Sequence, residues 1–152
     1  MTVSVKIDGL KQLDDALGEL TKATARGVLR RSLKKAAEPM ADLANSLAPV
    51  GPTGEYAKSF GFGTKLTKRQ ASQHRKLVRD DKAFVEGFVG TNDPAGVQQE
   101  FGNENHGPQP ALRPAWDQDR RALVERLGKD LGTEIEKTAQ RLARKAARLQ
   151  KR

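Results

Sequence analysis

The chain reads as a small α+β domain: a few antiparallel strands packed by amphipathic helices, a long C-terminal helix, and an extended loop or ribbon between two strands. Three observations predict this. Val3, Val5 and Ile7 alternate with Ser4 and Lys6 at the period of a half-buried strand. Leu10, Leu13, Leu17 and Leu20 then recur at helical spacing, and a much longer helical pattern occupies the end of the chain.

Taken in order, Asp8-Gly9 supplies the turn that ends the opening strand, and the leucines from Leu10 mark a first amphipathic helix. Leu29, Leu33, Ala36, Met40, Leu43 and Leu47, in alternating steps of four and three, mark a second. Pro39 falls inside it, where a missing N–H and a clash with the preceding turn predict a kink or a restart. Tyr56 to Leu66 and Ala83 to Thr91, rich in aromatic and β-branched residues, read as two strands able to pair antiparallel. The connection from Thr67 to Lys82 is too long and too charged for a tight hairpin, so its middle is a mobile loop, a projecting ribbon or a short helix. Asp93-Pro94 opens a short helix over Ala95 to Phe101, with Asp93 as N-cap, and Gly102 breaks it.

The last pattern places Trp116, Leu123, Leu127, Leu131, Ile135, Ala139, Leu142, Ala146 and Leu149 on one helical face, with Pro114 near its start. Such a helix is about 50 Å long, more than the ~30 to 40 Å breadth of a compact domain of this size, so its distal half overhangs. Gly128 and Gly132 are the candidate break points within it. We divide the chain into one domain over 1–136 and a basic helical extension over 137–152.

Composition narrows the chemistry. No cysteine is present, which excludes thiolate metal sites, disulfides and a cysteine nucleophile. No apolar run reaches the ~18 to 20 residues of a membrane span, and the first residues lack the layout of a cleaved signal, so a soluble protein is expected, with no membrane partner. The net charge of +9 favours a polyanionic neighbour, either nucleic acid or an acidic protein surface. Seven Lys or Arg and no acidic residue occupy Lys137 to Arg152, and a second basic stretch spans Lys65 to Lys82.

No catalytic set emerges. His74 and His106 have no ligand partner at metal spacing, Phe60-Gly61-Phe62-Gly63-Thr64 lacks the third glycine and following helix of a dinucleotide fingerprint, and the adjacent carboxylates Asp14-Asp15 and Asp80-Asp81 diverge in regular structure. The expectation is a protein with no catalytic residue, no metal and no cofactor. Lys68, Arg69, Arg75, Lys76 and Arg79 in the first basic stretch, and Lys137, Arg141, Arg144 and Arg148 in the second, are the candidates for contact with DNA phosphates or an acidic partner. The terminal stripe fits a solvated helix, a polyanion contact or a helix packed on another subunit, and its apolar face beyond the domain favours burial somewhere.

The segment from Glu100 to Trp116 carries the remaining signal. Pro114 restricts Arg113 to extended geometry and preorganises the first helical turn, while Trp116 is placed to anchor the helix against the sheet. Arg113 suits a bidentate carboxylate, with Glu100 or Glu104 as candidates in the same chain or a neighbouring copy. Glu100-Phe101-Gly102, a polar spacer, and Pro110-Ala111-Leu112-Arg113-Pro114-Ala115 together resemble the signature of tailed-phage head–tail joining proteins, also described as tail-completion or neck proteins. Ile7-Asp8-Gly9-Leu10 and Ala48-Pro49 with Thr53-Gly54 and Ser59-Phe60 extend the resemblance. Two positions depart from it: Asn103 stands where the family commonly has threonine, and Ala111 where it has phenylalanine.

The resemblance implies a structural virion protein of the neck, assembled in the bacterial host cytoplasm into a homohexameric ring. That ring would meet connector or stopper, tail-terminator or tail-tube proteins and pass genome DNA through its lumen without reading bases. Glu100, Phe101, Gly102, Arg113, Pro114 and Trp116 become the expected interface. The alternative is a free basic nucleic-acid-binding protein making sequence-independent phosphate contacts.

Overall fold

The computed structural model describes residues 10–78 and 84–150. In chain order these form α1 (Leu10–Gly18), α2 (Lys22–Leu47), a 3₁₀ turn (Tyr56–Lys58), β1 (Phe60–Gly63), α3 (Lys68–Leu77), β2 (Phe88–Thr91), α4 (Gly96–Phe101) and α5 (Leu112–Gln150). The fold is α+β, as expected, with helices dominating. The strand expected at Val3–Ile7 lies outside the described residues.

The frame is an antiparallel pair of long helices. Val28 of α2 packs on Leu131 and Ile135 of α5, whereas Met40 and Ala44, further along α2, meet Ala111 and Ala115 at the start of α5. Ion pairs repeat the same register: Arg31 Nε to Glu134 at 3.0 Å and Lys35 Nζ to Asp130 at 2.7 Å. Part of the seam is made of small side chains. Ala36, Ala44, Ala111 and Ala115 are wholly buried, while Leu29, Leu33 and Leu43, expected to form the stripe, are half-buried and Leu47 is exposed. Larger groups fill the rest of the seam, Met40 against Ala111 and Ala115 and Val28 against Leu131 and Ile135, and their dispersion contacts hold the two helices together.

Pro39 does not restart the helix: α2 runs through it as one element, with the ring on the solvent side. Proline removes the donor that would serve the Lys35 carbonyl. One residue along, the Ala36 carbonyl accepts two hydrogen bonds from Arg126, from Nε at 3.1 Å and Nη2 at 2.9 Å. Asp119 holds that guanidinium from the other side, at 3.0 and 2.6 Å. This bidentate clamp ties α5 to the turn that proline weakens. Gly128 and Gly132 likewise leave α5 uninterrupted over 39 residues, about 58 Å of helix. Thr138 is its last buried residue, and Ala139 to Leu149 are all exposed, so the predicted overhang is present.

The sheet is smaller than the sequence suggests. β1 and β2 pair antiparallel with Phe60 opposite Thr91 and Gly63 opposite Phe88, and among the described residues the remainder of the two expected strands is irregular or turns as 3₁₀. Four-residue strands suffice because α2 completes them. Asn45 of α2 donates to the Phe60 carbonyl at 3.1 Å and accepts its N–H at 2.9 Å, standing in for a third strand. Between the strands the described residues Lys68–Leu77 form a helix, one of the three forms expected there, where an extended loop or ribbon was the alternative. A capping box starts α3: the Thr67 hydroxyl accepts from Gln70 N at 3.3 Å, and Gln70 Oε1 accepts from Thr67 N at 3.0 Å. The helix buries no residue and leans on the sheet through His74, edge-on to Phe88 at 5.3 Å.

Candidate functional site: a carboxylate clasp at the start of the last helix

An α-helix begins with backbone N–H groups that have no partner inside the helix. At the start of α5 one side chain satisfies three of them. Glu100, 8% exposed, accepts from Ala111 N at 2.9 Å and Leu112 N at 3.1 Å through Oε2, and from Arg113 N at 2.9 Å through Oε1. Arg113 closes the clasp. Its Nε donates to Glu100 Oε1 at 3.2 Å and its Nη2 to the Glu100 carbonyl at 2.6 Å, while the guanidinium lies 4.9 Å from the centre of the Phe101 ring. Of the two partners considered for Arg113, the structure selects Glu100 of the same chain; Glu104 is exposed.

Burial works to raise the Glu100 pKa. The N–H groups of Arg113, Ala111 and Leu112, with the Arg113 side chain, outweigh it and hold the carboxyl below its ordinary value. A buried anion at a helix N-terminus is also favoured by the helix dipole.

Glycine is required at position 102. It ends α4 at φ +79°, and a Cβ there would stand 2.9 Å from Pro108 N and 3.1 Å from the His106 carbonyl. Gly102→Ala is therefore expected to cost about 2 kcal/mol, from left-handed geometry and the clash together, read as a shift of the urea midpoint. Asn103 turns the loop back: its Oδ1 accepts from Asn105 N at 2.8 Å and His106 N at 3.0 Å. Threonine, common there in the resembling family, has no carbonyl to match this pair. Ala111 is wholly buried in the α2–α5 seam, which explains the small residue at the second departure.

Pro114 sits in the first turn of α5, which begins two residues before it, where its missing N–H has no intrahelical partner to lose. Trp116 does not anchor the helix. It is 51% exposed, and Ala111 and Ala115 make the contact with α2 instead. Trp116 stands beside an apolar groove of about 450 Å³ lined by Leu33, Met40, Phe62, Phe88 and Leu123.

Lys68, Arg69, Arg75 and Lys76 are exposed on α3, and Arg79 lies outside the described residues. Lys137, Arg141, Arg144 and Arg148 are exposed along distal α5. Among the described residues no hydrogen bond or ion pair joins the two basic sets, and no three His, Cys, Asp or Glu residues gather as a metal site. No described helix is long and apolar enough to cross a membrane.

The described residues thus bring together a clasped loop, an overhanging amphipathic helix and an open apolar groove. The chain belongs to the HK97-gp10-like family, described as "Bacteriophage HK97-gp10, putative tail-component", whose family model matches residues 11–102. It is thus a phage tail component, in keeping with the resemblance to head–tail joining proteins. The match takes in Glu100-Phe101-Gly102 and stops before Arg113 and α5. No curated protein and no solved structure matches the chain.

Proposed function

We propose that this protein is a structural component of the phage neck, completing the tail and joining it to the head connector as a ring, homohexameric by the family resemblance, around the DNA channel. The overhang of α5 is the observation that carries the reading. Helix beyond Thr138 with Ala139, Leu142, Ala146 and Leu149 all exposed has no use for its apolar face in an isolated subunit. The clasp serves the same end by fixing where that helix starts and hence where its far end points.

In the ring, Phe101, Arg113, Pro114 and Trp116 face a neighbouring copy or an adjoining connector, stopper, terminator or tail-tube protein. Glu100 and Gly102 shape that surface from below. The basic residues of α3 and distal α5 line a path for the genome, touching phosphates without reading bases. The protein's work is mechanical and its place is the virion.

Imaging of purified virion necks tests this. A ring of this chain between connector and tail tube is expected, and mature particles lacking the protein would overturn the proposal.

A further inference from the structure

We propose that the overhanging end of α5 docks in the apolar groove beside Trp116 of the next copy, so that each subunit gives one helix end and receives another. The inference rests on the ring reading and names the surfaces that would close it.

The argument begins with two apolar surfaces that the chain leaves open. One is the groove floored by Leu33 and Met40, walled by Phe62 and Phe88 on the sheet side and by Trp116 and Leu123 on α5. The other is the face of Leu142 and Leu149, 43% and 64% exposed, with Ala139 and Ala146 beside them. Spacing of i, i+4 and i+7 is the pattern by which an amphipathic helix sits in an apolar groove. The same α5 helix carries both surfaces, with Trp116 and Leu149 about 50 Å apart along it. A continuous helix cannot fold back over that distance, so one copy's end reaches only another copy's groove.

At about 100° per residue, Lys137 and Arg144 lie on the side of the helix opposite the leucines, so docking keeps them in water or against phosphate, while Arg141 and Arg148 lie about a quarter-turn to one side of the leucines. Lys145 is the cation nearest the apolar face, and the exposed carboxylates Glu86 and Asp117 stand next in sequence to the groove-lining Gly87 and Trp116, with Arg113 in the lining itself. End-on-end pairing of two α5 helices would bury the leucines but leave the groove and Trp116 uncovered. The heterologous contact covers both, and repetition of such a contact yields a closed ring or an open filament.

The chain has no cysteine and one tryptophan, which makes the test direct. Mixing Trp116→Cys with Leu149→Cys under mild oxidation is expected to give a disulfide-linked pair containing one of each. The double variant should give a ladder of higher species, since its two thiols cannot meet within a chain. In the unmodified protein, Trp116 emission should shift to the blue as concentration rises, and Leu142→Asp with Leu149→Asp should abolish the shift while leaving the helical circular dichroism in place. Symmetric disulfides alone overturn the inference in favour of end-on-end pairing. A protein that stays monomeric with unshifted emission overturns it in favour of a different virion protein in the groove. Rings that form in the Leu142→Asp, Leu149→Asp variant as readily as in the unmodified chain overturn the docking while leaving the neck assignment standing.

Discussion

Glu100→Ala is expected to destabilise the fold by about 3 kcal/mol, among the largest effects of any single polar substitution in this chain. The change strands three backbone N–H groups at the start of α5 and removes the carboxylate partner of Arg113. Loss of charge-assisted hydrogen bonds at a buried helix end supports a figure of that size. Glu100→Gln keeps one acceptor oxygen and should recover roughly half of the loss. Denaturant titration at neutral pH measures both.

The same carboxylate sets a pH dependence whose sign follows from its lowered pKa. Its stabilisation is fully present above the ordinary glutamate range of the unfolded chain. Below that range the unfolded chain takes up a proton first, and the benefit shrinks until pH falls through the lower folded value. Stability should therefore decline on the acid side, and Glu100→Gln should flatten that decline; an unchanged acid limb in the variant would contradict the clasp. Orientation of α5 should follow stability, so the variant is also expected to assemble poorly below its unfolding midpoint.

Ala115→Leu is the second large effect, expected at about 3 kcal/mol or more, because the residue is wholly buried where α2 and α5 cross and no space exists for three further carbons. Ala143→Leu makes the same chemical change on the exposed end of the same helix and should stay within about 0.5 kcal/mol in the isolated subunit. Thermal unfolding of the pair gives the comparison. Equal losses would mean that the alanine seam does not hold the helices together. Arg126 and Asp119, both half-buried, reinforce that seam from its edge.

Elements with strong local signals were legible. The apolar periods located α1, α2 and α5, and the proline and glycine positions bracketed α4 and the start of α5. The pairing of Arg113 with a glutamate was also readable from residue types. α3 carried a readable signal too, since Thr67-Lys68-Arg69-Gln70 is a capping box, yet its charge drew the reading equally towards a loop or ribbon. Strand ends were not readable, because the edge partner of β1 is Asn45 of a helix and no strand pattern encodes it. Nor was the fate of Pro39, which depends on Arg126 arriving at the Ala36 carbonyl from the other end of the chain.

By itself, the amino-acid order determined that this protein is an α+β domain with a basic, amphipathic helix running past its own core, for periodicity and charge are local properties of the chain. Only the tertiary structure decided which residues matter in that frame. Burial depends on what lies opposite: Ala111 and Ala115 meet Met40 and Ala44 of α2 at one end, Leu131 and Ile135 meet Val28 further along, and Trp116 falls outside both contacts. The same packing turned Glu100 inward as the cap of α5 and left Trp116 beside an open groove, because the face that the start of α5 turns to α2 carries Ala111 and Ala115.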